Sequence, residues 1–172
     1  MAIEAFEDEK PLLEQPAFVA ASADVIGRVH LAEDSSVWYN STLRGDVAPI
    51  VVGKGSNVQD NSCIHVDFER GCYLGSWVTV GHSVTLHACT VEDKCLIGMG
   101  AVVLDGAVIG HGSIVGAHAL VTKNTVIPPH SLVLGSPARV VKTLGEEVEE
   151  AHYRHALSYI ELARRFARRR QG

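Results

Sequence analysis

From residue 25 onward an aliphatic side chain recurs every six positions. Val25, Leu31, Val37 and Leu43 set the phase, and Val52, Val58, Ile64, Leu74, Val80 and Leu86 continue it. Val91, Ile97, Val103, Ile109, Val115, Val121, Ile127 and Val133 complete a series of eighteen. Only three of the seventeen steps are irregular: 43→52 and 64→74 carry insertions of three and four residues, and 86→91 is one short. Glycine follows the aliphatic at 75, 81, 98, 110 and 116. Such regularity is an internal repeat rather than a local preference.

A period of six is neither the 3.6 of a helix nor the simple alternation of a half-buried strand. It fits a parallel β-helix in which each hexad forms one short side and then turns a corner. Three sides close a triangular coil, the aliphatic points inward, and the next coil stacks about 4.8 Å above. Eighteen hexads predict about six coils over residues 1–142, an all-β architecture. The repeat stops near Gly135-Ser136-Pro137. Residues 143–172 then hold an amphipathic helix over 145–170, with Val148, His152, Ala156, Tyr159, Ile160, Ala163 and Phe166 on one stripe. Glutamates at 146, 147, 149 and 150 open it; Arg164, Arg165, Arg168, Arg169 and Arg170 close it, matching the helix dipole. The helix is expected to pack along the coil and protect it from edge pairing.

Composition agrees with strands and tight turns. There are 23 valines and 16 glycines, and only 6% of residues are aromatic. The net charge is −5, and without the five terminal arginines the body is more acidic still, which argues against nucleic acid as a partner. No apolar run approaches the roughly 20 residues of a membrane span. The opening MAIEAFEDEK lacks the features of a signal peptide, so a soluble cytoplasmic chain is expected, its four cysteines (63, 72, 89, 95) reduced.

The repeat sorts the nine histidines by geometry. Every third hexad shares a face. Face A holds the hexads at Val25, Leu43, Ile64, Leu86, Val103 and Val121, and the residues just after them are Ile26, Arg44, His65, His87, Leu104 and Thr122. His65 and His87 therefore stack on adjacent coils, about 5 Å apart, and could share a metal. Arg44 lies one coil below. On face B, two residues after each aliphatic, His82 falls one coil above Asp60, with Gln59 beside it. One chain would struggle to bring His82 to the other two. A threefold oligomer packing face A against face B removes the difficulty, so the spacing suggests a homotrimer with metal at the interface. Face C, with Glu33, Lys54, Glu92, Asp93 and Lys94, reads as the solvent or helix-covered side. His111 and His130 belong there and, like His30, His118, His152 and His155, read as ordinary surface or core residues.

The segments LRGDVAPI (43–50), NVQDNSCIH (57–65), VGHSVTLHACTV (80–91) and LIGMGAVVLDGAVIG (96–110) resemble the γ-class carbonic anhydrase family of hexapeptide-repeat proteins over about residues 15–142. The resemblance implies a left-handed β-helix, a handedness outside the usual crossover rule. It implies a divalent metal, zinc with iron or cobalt as variants, held by His65 and His87 of one subunit and His82 of its neighbour. Gln59 would position the water that attacks carbon dioxide to give bicarbonate. Arg44 would pair across the interface with Asp60 or Asp46. The archetype's acidic loop after the first histidine, with its shuttle glutamate, is replaced here by VDFERGCYLG (66–75), and Val47 stands where a second glutamate follows the RxD motif. Asp67 and Glu69 are the acidic residues left in that loop. This resembles a short-loop bacterial subgroup in which hydration is variable and thioester hydrolysis occurs in some members. An acyl-CoA thioesterase or acyltransferase, and a non-catalytic assembly subunit, are the competing readings. An acyltransferase needs one general-base histidine rather than three converging ligands.

Overall fold

A computed structural model describes residues 2–169. The chain is a parallel β-solenoid followed by one helix, Glu147–Arg169. Each short strand pairs with the strand three hexads on, in register: Thr79 with Asn57 and Leu96, Leu86 with Ile64 and Val103, Val91 with Leu74 and Ile109. All eighteen repeated aliphatics are buried, so the inward position of the hexad is the core. Burying each such side chain stabilises by about 1.5–3 kcal/mol relative to leaving it in water.

The expectation of six coils is corrected to about seven. Face B alone carries seven stacked rungs: Phe18–Val19, Ser36–Val37, Asn57–Val58, Thr79–Val80, Leu96–Ile97, Ile114–Val115 and Ser131–Gly135. The additional coil is the first one. Ala2–Glu4 pairs with 24–26, Leu12–Leu13 with 30–31 and Phe18–Val19 with 36–37. Leu13 and Val19 continue the six-residue spacing backwards from Val25, but Ile3 precedes Leu13 by ten residues. The excess forms a small loop closed by Phe6 and Glu9. The same corner, between faces A and C, takes up the insertions at 45–49 and 66–71, the latter closed by Asp67 and Arg70.

Corners are built from residues in the left-handed region, unusually many of them not glycine. One column reads Asp34, Gly55, Trp77, Lys94, Gly112 and His130, each with φ between 53° and 68°. Each tight turn needs one such residue, and stacking the turns keeps the strained conformation in place. The glycines that follow the inward aliphatic serve a different need, close approach. A Cβ on Gly98 would sit 2.6 Å from the amide nitrogen of Ala117 on the next coil.

At the top, Ser131–Gly135 turns back through Ser136-Pro137 and pairs antiparallel with Ala138–Thr143. That hairpin reverses the chain, and the helix then descends along the Asp34–His130 corner column. His152 Nδ1 donates to the Lys94 carbonyl at 2.6 Å, Tyr153 stands edge-on to Trp77 at 5.4 Å, and Arg164 reaches Asp34 at 2.7 Å. Phe166 closes the bottom against Phe18 and Trp38. The helix thus covers the corner between faces C and B, and face C itself faces solvent, one of its two expected readings. The helix's apolar stripe docks on aromatic side chains, whereas the charges of face C only mark what faces water. Acidic residues occupy its first turn and Arg168 and Arg169 its last; Arg170 lies outside the described residues.

Candidate metal centre

His65 and His87 occupy the outward position beside Ile64 and Leu86 on directly paired strands, Cys63–His65 and Thr85–His87. Arg44 is paired in the same register one rung below His65. The backbone therefore sets the column before any side-chain chemistry. The two rings lie 5.1 Å apart between centroids, and His65 Nδ1 faces His87 Nε2 at 3.1 Å.

The other nitrogen of each ring is taken by a carboxylate. His65 Nε2 meets Asp46 Oδ1 at 3.1 Å, and His87 Nδ1 meets Asp105 Oδ1. Each carboxylate is backed by a cation, Arg44 on Asp46 and Lys123 on Asp105. Partial burial pushes the Asp46 carboxyl up, but the Val47 amide, His65 and Arg44 together outweigh it and hold it below the usual carboxylate range. Lys123 is the main cause holding Asp105 low, with His87 adding to it against burial. Both groups are therefore ionised acceptors at neutral pH. If each neutral imidazole donates its one N–H to its carboxylate, the nitrogens left facing each other are both lone pairs. Two lone pairs 3.1 Å apart repel unless a cation or proton lies between them. Imidazoles oriented by carboxylates with their free nitrogens converging fit the donor set of a divalent metal.

His82 lies elsewhere. It sits in the turn after Thr79–Val80, with Nδ1 2.9 Å from Asp60 Oδ2. Among the described residues, His65, His82 and His87 do not bring their ligand atoms together within one chain. Each chain thus presents a two-imidazole element on face A and a single imidazole at the edge of face B. Arg44 pairs with Asp46 of its own chain, and Asp60 is engaged by His82 and by the Tyr39 amide at 3.2 Å. Gln59 is buried on the His82 side, its Nε2 donating to Asn57 Oδ1 at 3.2 Å. The loop at 66–71 folds upward: Arg70 donates to Asn124 at 3.0 Å, and Phe68 is 82% exposed.

Two features escaped the hexad arithmetic. Asp105 and Lys123 were not singled out, although each stands two residues after an inward aliphatic on the coils above His87. His111 and His130, expected to be bland, meet Glu149 of the helix; their ligand atoms all lie within 4.8 Å of one another. The cysteines are unpaired, with Cys72 and Cys89 sulfurs 3.8 Å apart and Cys63 exposed beside His65.

Residues 88–123 match the family model described as bacterial transferase hexapeptide (six repeats). The chain is 45% identical over 166 residues to gamma carbonic anhydrase 1, mitochondrial, of Arabidopsis thaliana, covering 93% of this chain and 60% of that protein. It thus spans about three-fifths of that relative's length. It is 43% identical over 156 residues to a carbonic anhydrase of Geobacillus kaustophilus, covering 91% of this chain and 86% of that one. A solved hexapeptide transferase family protein from Anaplasma phagocytophilum superposes with a TM-score of 0.90 at 36% identity, over 95% of this chain and 96% of the other.

Proposed function

Because the chain belongs to the γ-class carbonic anhydrase family of hexapeptide-repeat proteins, we propose that it hydrates carbon dioxide reversibly at a metal held between subunits of a homotrimer. His65 and His87 of one subunit and His82 of the next would hold the ion, zinc in the first instance, with iron or cobalt as variants. When bound, such an ion with an open position lowers the pKa of water to about 7 and supplies a nucleophile at neutral pH. The observation that carries the reading is the pair of imidazole nitrogens facing each other at 3.1 Å while carboxylates occupy their far sides.

The chain's own residues prepare that chemistry. Asp46 and Asp105 fix ring orientation, and Arg44 and Lys123 pair with those carboxylates from the other side. Asp60 engages His82 Nδ1, which leaves Nε2 as the nitrogen available to a neighbouring subunit. Gln59 beside it is the candidate for orienting the attacking water across the interface. Proton removal must reach solvent, and the short 66–71 loop offers only Asp67 and Glu69. A positioned acid–base group contributes about 10²–10⁴-fold, so turnover without one depends on external buffer. Among the described residues no helix is long and apolar enough to cross a membrane; the cytoplasm is proposed as the compartment.

A thioesterase or acyltransferase acting on an acyl-CoA is the second reading, favoured by the short loop and by the transferase name of the Anaplasma neighbour. Stopped-flow carbon dioxide hydration, with metal analysis on the same sample and parallel acyl-CoA assays, decides between them. The expected result is hydration that climbs with imidazole buffer concentration. Metal-loaded protein inactive at high imidazole but active on a thioester overturns the first reading.

A further inference from the structure

We propose that His111, His130 and Glu149 form a second divalent-metal site, separate from the interface centre, that bolts the C-terminal helix to the upper coils. His111 and His130 sit on successive coils at the corner after face C, where the His130 amide donates to the His111 carbonyl at 2.8 Å. Stacking by one rung puts the ring centroids 4.9 Å apart at 83°. Glu149 enters from the first turn of the helix. Its Oε1 lies 2.7 Å from His130 Nε2 and 3.8 Å from His111 Nε2.

Three ligand atoms, two nitrogens and one carboxylate oxygen, thus lie within 4.8 Å of one another, close enough to converge on one ion. At 3.8 Å the His111 nitrogen is aimed at the carboxylate without a hydrogen bond to it. Ligand atoms about 2.0–2.1 Å from one tetrahedral ion lie about 3.3–3.4 Å from each other, between the two observed distances. The outer contacts suit a bound state as well. Lys94 Nζ holds the other oxygen, Oε2, at 2.8 Å, so Oε1 alone faces the imidazoles. Glu92 Oε2 lies 3.5 Å from His111 Nδ1, the far side of that ring, and is fixed by the His111 amide at 2.9 Å. A carboxylate behind a ligating imidazole is the arrangement that orients metal-bound histidine.

Two nitrogens and one carboxylate oxygen suit a borderline divalent ion of the zinc class rather than calcium or magnesium, which take all-oxygen shells. Access is available: the site opens on a cleft of about 670 Å³ over face C, lined in part by Tyr73, Trp77, Glu92 and Lys94, and the His111 side chain is 45% exposed. Two ligands come from the solenoid and one from the helix. Binding therefore stabilises the docked helix by linkage.

The test is cobalt(II) titration of metal-stripped protein, read by visible absorption and by calorimetric stoichiometry, with melting followed in zinc. Wild type should take up one more ion per chain than His111→Ala, a variant of an exposed residue that leaves the core intact. His65→Ala/His87→Ala should retain that ion, and zinc should raise its melting temperature; adding His111→Ala should abolish both effects. Glu149→Gln should weaken the same site at least about 10-fold. Equal stoichiometry in wild type and His111→Ala overturns the proposal and leaves the cluster as a helix latch only. Loss of the interface site alone leaves the His111-dependent ion in place, so failure of the carbonic anhydrase reading and failure of this one give different titrations.

Discussion

The molecule carries two histidine pairs on successive coils, one in register and one offset by a position. The histidines of each pair fall on successive coils, His65 and His87 at the same hexad position and His111 and His130 one position apart, and each pair has carboxylates against it. The first lies on a flat face, where among the described residues no third ligand atom converges on the two facing nitrogens. The second lies at a corner where the helix brings Glu149 across. A solenoid turns any such coincidence of sequence into a pair of converging imidazoles. On the readings proposed above, the first pair takes its third group from another copy and the second from the chain's own helix.

The sharpest way to break the comparison is to delete one ring from each pair. His87→Ala should lower carbon dioxide hydration at least about 100-fold with loss of metal, whereas His130→Ala should leave hydration within about twofold. Equal losses from the two variants, measured by stopped flow, would show that the pairs are not separate.

A smaller effect tests the supports. Asp105→Asn removes the ionised acceptor behind His87 and should weaken metal affinity about 10–100-fold, as competition with a chromophoric chelator would read it. No change would mean that the rung geometry alone orients the ring.

Arg44→Ala frees Asp46 beside the interface and should weaken trimer association about 10-fold, or ~1.4 kcal/mol, by sedimentation at high dilution. Persistence of the trimer with unchanged dissociation would assign Arg44 to Asp46 alone.

The smallest effect uses Cys63, exposed on face A in the isolated chain. It should alkylate several-fold more slowly in the assembled protein than in dissociated Arg44→Ala protein. Cys72, Cys89 and Cys95 are buried, and burial pushes the Cys95 thiol up to about 12, so these three should react only on unfolding. Equal Cys63 rates in the two proteins would mean that nothing docks on face A.

The coil, its inward residues and the stacking of His65 on His87 were legible from the residue order alone, because in a solenoid contact follows from position within the repeat, counted across its irregular steps. The first coil was half visible in the spacing of Leu13 and Val19 and was hidden by the loop after Ile3. That Arg44 closes on Asp46, that Asp105 stands behind His87 and that Glu149 reaches His111 and His130 came from the folded chain. Those outcomes depend on where side chains of unequal reach end at the corners, and on where the hairpin at 131–143 aims the helix. No period carries that information: the helix docks through Tyr159 and Phe166 on Phe18 and Trp38, residues more than a hundred positions away, and its charged first turn falls wherever that packing puts it.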